Sequence, residues 1–130
     1  MKLSEELIQQ IEHEAKGLSY PQYVQKLKEI GVANYEVRVK NHNRKFTSQS
    51  GEEVLLTGDL PAVDCAENFS LEAVKEAVRR TQNALTDYAR FLKEIAAAGV
   101  HNYIADLGAM KILYLGPNPS DLYTEVIPEA

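Results

Sequence analysis

Two stretches, GVANY at residues 31 to 35 and GVHNY at residues 99 to 103, repeat one handover from helix to strand within a single chain. Upstream of them, Tyr23, Leu27 and Ile30 in one copy, and Tyr88, Leu92 and Ile95 in the other, recur at helical spacing, so each stretch carries an apolar stripe. Gly31 and Gly99 then stand where the left-handed residue that ends a helix belongs, because glycine has no Cβ to clash there. Beyond each glycine the period changes to two. Tyr35, Val37 and Val39 alternate with Glu36, Arg38 and Lys40, and Tyr103, Ala105 and Leu107 alternate with Ile104 and Asp106.

Extending the match backwards through the shared LKEI aligns Tyr23 with Tyr88 and Leu27 to Ile30 with Leu92 to Ile95. The second copy then has Ala96, Ala97 and Ala98 in excess, about one helical turn more. Both strands are expected to turn back. Asn41, His42 and Asn43 supply turn formers before a return over Arg44 to Gln49, and Gly108 and Ala109 lead into Met110 to Leu115. The unit is helix, strand, strand, used twice, at about residues 19–58 and about 84–127 of a single domain spanning 1–130.

The other segments fit around this unit. Ser4 is placed to cap a first helix, with Glu5 and Glu6 meeting its positive end, Leu3 stapling onto Ile8, and Gly17 closing it. Glu52 to Thr57 reads as an added strand, Ser70 caps a helix bearing Val74, Ala77 and Val78, Asn83 to Leu85 break it, and Thr86 caps the next. Leu122 to Ile127 is a last strand, ended by Pro128. The expected fold class is α+β: the duplicated unit forms one antiparallel sheet of five or six strands, with helices mainly on one face and the halves related by a pseudo-twofold. Such a sheet has open edges, from which a homodimer by edge or face pairing is expected.

Charge and apolar patterning narrow the function classes. A formal net charge of -5 disfavours nucleic-acid phosphates and anionic membrane surfaces as partners. No apolar run approaches the roughly 20 residues that span a bilayer, and the single Cys65 has no intramolecular partner, so a cytoplasmic setting is expected. Cofactors are not expected. His13, His42, His101 and Cys65 show no metal-ligand spacing, and no Gly-rich phosphate loop or Gly-x-Ser-x-Gly elbow occurs.

SYPQYVQKLKEIGVANYEV, TDYARFLKEIAAAGVHNYIADLGAMKILYLG and the closing EVIP resemble a small bacterial family known as domain of unknown function thirteen-ninety-eight, over nearly the whole chain. Some of its members carry the label of phage envelope protein. The resemblance implies no activity and no catalytic residue. Thr81, Leu92 and Gly116 depart from the family pattern, which often has a histidine, a cysteine and an aspartate there.

The candidate site residues fall into two groups. Tyr23, Tyr35, Tyr88 and Tyr103, at equivalent places in the repeat, are candidates to line a ligand pocket between helices and sheet, with Asp87 as a base or hydrogen-bond partner. The competing reading has the tyrosines in the core and Asp87 capping a helix. Arg38, Lys40, Arg44 and Lys45 cluster on the first hairpin and are candidates to bind an anion; a solvated, aggregation-resistant edge is the alternative. His101 and Asp106, five residues apart on a strand, point to opposite faces and form no dyad. Cys65, in the long loop from Asp59 to Phe69, has no basic neighbour within that loop and is expected to be buried and inert. The expected function is a non-enzymatic binding or protein-interaction module; the alternative is a small-molecule-binding domain or enzyme using the tyrosine pocket.

Overall fold

Local capping sets where each helix starts. In the computed structural model, which describes residues 3–58, 60–82 and 87–129, the Ser4 hydroxyl accepts from the Leu7 amide at the head of α1 (Glu5–Glu14). Leu3 and Ile8 are both buried there, as a hydrophobic staple requires. Ser19 and Gln22 form a reciprocal capping box on α2 (Tyr20–Glu29), with Pro21 in its first turn. Ser70 accepts from the Ala73 amide ahead of α3 (Leu71–Gln82). Asp87 accepts from the Arg90 amide at 2.8 Å and caps α4 (Tyr88–Ala97). The expected break at Asn83 to Leu85 and cap at Thr86 lie outside the described residues, as does Asp59.

The strands are β1 (Val32–Arg38), β2 (Asn43–Ser48), β3 (Glu53–Leu56), β4 (Asn102–Asp106), β5 (Lys111–Leu115) and β6 (Leu122–Val126). They make one antiparallel sheet in the order β3-β2-β1-β4-β5-β6. The first strand of each copy meets the other at the centre. There Tyr35 faces Ala105 and Val37 faces Tyr103, a reciprocal register that a twofold between β1 and β4 produces.

One part of the repeat alignment is corrected. The second helix is not a turn longer: α2 and α4 have 10 residues each, and each begins at a tyrosine. A single constant offset carries Ser19 to Asp87, Tyr20 to Tyr88, Gly31 to Gly99, Tyr35 to Tyr103 and Phe46 to Tyr114. It also carries His42 to Met110, the described non-glycine residues with left-handed backbone, at φ 59 and 55. Tyr20, and not Tyr23, is therefore the counterpart of Tyr88. LKEI matched out of phase because a slide of three or four residues along a helix preserves its apolar stripe.

Beyond an irregularity at the start of β1, burial alternates along the strands in the same sense. Tyr35, Val37, Phe46, Leu56, Tyr103, Ala105, Ile112 and Tyr114 face the helices and are buried. The four described helices thus gather on one face of the sheet, where Val24 and Leu27 of α2, Val74 and Val78 of α3, and Leu92 and Ile95 of α4 complete the core. The other face has no helix over it among the described residues. No described helix is long and apolar enough to cross a membrane.

Candidate functional site

Sheet register decides which sequence-selected residues share a face. On the covered face the tyrosines meet as two equivalent pairs. The Tyr20 and Tyr35 hydroxyls share a hydrogen bond at 2.5 Å, and so do those of Tyr88 and Tyr103 at 2.5 Å. The Tyr35 and Tyr103 rings stand edge to face, 6.4 Å apart across the pseudo-twofold. His42 Nε2 shares a further hydrogen bond of 3.1 Å with the Tyr88 hydroxyl. Burial is the largest cause that holds the Tyr35 and Tyr103 hydroxyls well above the usual phenol range, with neighbouring tyrosines adding to it. These side chains remain neutral through the physiological range and act as a hydrogen-bonded part of the core.

Tyr23 packs edge to face on Tyr35, 6.4 Å away, but directs its hydroxyl elsewhere. Its hydroxyl donates to Glu12 at 3.0 Å, and Arg44 Nη1 donates to the same carboxylate oxygen. Asp87 spends a carboxylate oxygen on its helix cap. The residues that sequence reasoning missed are Tyr20, His42, Tyr114 and Glu125. The Tyr114 hydroxyl donates to Glu125 at 2.6 Å, and Gln82 donates to the same carboxylate at 2.7 Å. Tyr20 was detectable, since it stands as far before Gly31 as Tyr88 does before Gly99. Glu125 carried no such signal, because alternation places it inward only once the strand's face is known.

The basic group divides between the two faces. Arg44 points toward the helices, is 9 % exposed, and pairs with Glu12. Freeing it for a ligand would break a largely buried ion pair, at a cost of about 3–5 kcal/mol. Arg38 and Lys45 stand on the uncovered face, where Lys45 reaches Glu53 at 3.5 Å, and Lys40 is exposed in the turn that follows β1. His101 and Asp106 fall on opposite faces, and His101 Nε2 donates to the Ala66 carbonyl at 2.9 Å. Cys65 is half-buried rather than buried, because its loop lies along the sheet's end instead of beneath it. Burial still pushes its thiol pKa up, against the opposing pull of Lys40 from the strand end, and Asp64 adds to the rise.

The uncovered face has its own organisation. One row across the sheet reads Leu55, Lys45, Glu36, Ile104, Leu113, Thr124, and the next reads Asn43, Arg38, Asn102, Leu115, Leu122. Polar and charged groups dominate β1 to β3, while β4 to β6 present Ile104, Leu113, Leu115, Leu122 and Val126. Leu122 is 46 % and Val126 67 % exposed. A solvated antiparallel face ordinarily alternates to polar residues, so an apolar half on this side is unlike a surface built only to meet water. Among the described residues no group of three or more His, Cys, Asp or Glu side chains gathers to hold a metal.

Comparison with known proteins extends this picture in one direction. The model of a family described as protein of unknown function (DUF1398) matches residues 8–126, nearly the whole chain. No curated protein matches it.

Proposed function

The chain belongs to the DUF1398 family of proteins of unknown function, and we propose that it is a non-enzymatic binding module that docks a protein partner on its uncovered sheet face. The observation that carries this reading is the apolar half of that face, Ile104, Leu113, Leu115, Leu122 and Val126, on the side of the sheet away from every described helix. Apolar burial contributes roughly 25 cal/mol per Å² removed from water, so a partner covering these side chains gains from the part of the surface that solvates worst. A second copy of the chain is the first partner to test, because joining two apolar halves about a twofold satisfies both at once. The reading takes a cytoplasmic setting, in keeping with a single cysteine.

The test places charge on the face without touching the core. Leu122→Glu with Val126→Glu alters two exposed side chains, so stability should change by about 0.5 kcal/mol or less per site. Sedimentation velocity on wild type should show concentration-dependent association that the double variant abolishes. If wild type stays monomeric, affinity capture should retain a species that the variant does not. Identical behaviour of the two proteins in both assays would sink the reading.

A further inference from the structure

The end of the sheet beyond β1 carries a second feature, independent of the apolar half. The Val63 amide donates to the Lys40 carbonyl at 3.0 Å, the Ala66 amide donates to the Ala96 carbonyl at 2.9 Å, and His101 donates to the Ala66 carbonyl. These bonds pin the segment between Val63 and Ala66 across the strand end. It walls an open depression of about 420 Å³ that Arg38, Lys40, Asp64, Cys65, His101 and Asn102 line. A neighbouring depression of about 440 Å³ shares Arg38 and Asn102 with it.

The polar groups here are mostly donors. Arg38 lies between Asn43 on β2 and Asn102 on β4, its direct cross-strand partners. Lys40, exposed in the turn that follows β1, lines the same depression. Among the described residues neither cation forms an ion pair, although the chain has 19 acidic against 14 basic side chains. The other two members of the basic hairpin are engaged, Arg44 with Glu12 and Lys45 with Glu53. Among the described residues Asp64 is the single carboxylate in the lining against two cations, so the described lining is net positive.

We propose that this depression binds a small oxyanion, the carboxylate or phosphate group of a metabolite. The Arg38 guanidinium presents a planar fork that matches two oxygens of such a group, Lys40 adds a second charge, and the Asn102 carboxamide offers a neutral donor beside them. Asp64 limits the charge the site takes, so one oxyanion group is held and a chain of them is disfavoured.

The test is a titration of nitrogen-15-labelled protein with sodium phosphate and, separately, sodium acetate at constant ionic strength, read by NMR at the Asn43 and Asn102 carboxamides and the Lys40 and His101 amides. Saturable shifts confined to these groups are expected. Arg38→Gln should weaken binding about tenfold or more, since a charge-assisted bidentate contact is lost. Lys45→Gln should change it less than about twofold, because exposed pairs contribute little. Arg38→Lys, which keeps the charge and loses the fork, should fall between them. Arg38 is exposed, and an unchanged Tm in each variant shows that the fold is kept. Saturation by phosphate alone assigns phosphate esters, and saturation by acetate alone assigns carboxylates. Shifts that never saturate, that extend equally to the amides of Arg90 and Lys93, or that survive Arg38→Gln with the same affinity overturn the proposal.

Discussion

Glu125 lies on the edge strand β6, yet its side chain faces the helices and is 8 % exposed. Tyr114 and Gln82 donate to it, but among the described residues no cation pairs with it, so burial raises its pKa despite those two bonds. In the other half the corresponding carboxylate, the half-buried Glu12, comes from α1 and meets Arg44. A carboxyl whose folded pKa exceeds its unfolded value binds its proton more tightly when folded. Its contribution is therefore fully present below the unfolded pKa and is lost as pH rises through the folded one. Urea unfolding of wild type followed from pH 4 upward should show that decline, which Glu125→Gln should flatten while keeping one acceptor oxygen for Tyr114, the Gln82 carboxamide turning to accept from the new NH2. A decline of equal slope in the variant would assign it to another group. The inward carboxyl also serves the edge on which it sits, since joining a second strand there would bury a charge more deeply.

At the level of elements, the equal helices and their glycine ends show which local signals are informative. A helix stripe tolerates a slide of about one turn, whereas the glycine cap and the strand that follows tolerate none, because moving a strand by one residue turns every side chain over. Gly31 and Gly99 share left-handed backbone, at φ +90 and +92, but their surroundings differ. A Cβ on Gly31 would meet nothing within 4 Å, while one on Gly99 would stand 2.4 Å from the Asn68 carbonyl oxygen. Gly31→Ala should thus cost about 1–2 kcal/mol, the strain of a left-handed alanine. Gly99→Ala should cost a further ~1–3 kcal/mol, as overpacking against backbone does. Comparison of their urea midpoints checks the difference, and equal losses would show that the loop through Asn68 yields freely.

For the whole molecule, the reciprocal β1 and β4 pairing places both copies' first strands at the centre, bonded on each side. Their amides should exchange with solvent only on global unfolding, and those of α1 and β6 should exchange earlier, through local opening at the periphery. Native-state hydrogen exchange tests this, and uniform protection across the sheet would count against it. The covering of one face was legible from Tyr35, Val37 and Val39 alternating with charged neighbours, and so was the antiparallel sheet, from two short turns. The tyrosine pairs were half legible: Tyr35, Tyr88 and Tyr103 were named, while Tyr20 was displaced by the phase error in the helix. By itself the sequence determined the caps, the strand periods and the duplication, because these depend on neighbours within one turn or one hairpin. The tertiary structure alone decided that Arg44 turns inward to Glu12 while Arg38 and Lys40 stay open, and that Leu113 and Leu115 of β5 share one face with Leu122 of β6. Those outcomes depend on which strands become neighbours and which side the helices take, and contacts between residues far apart in the chain settle both.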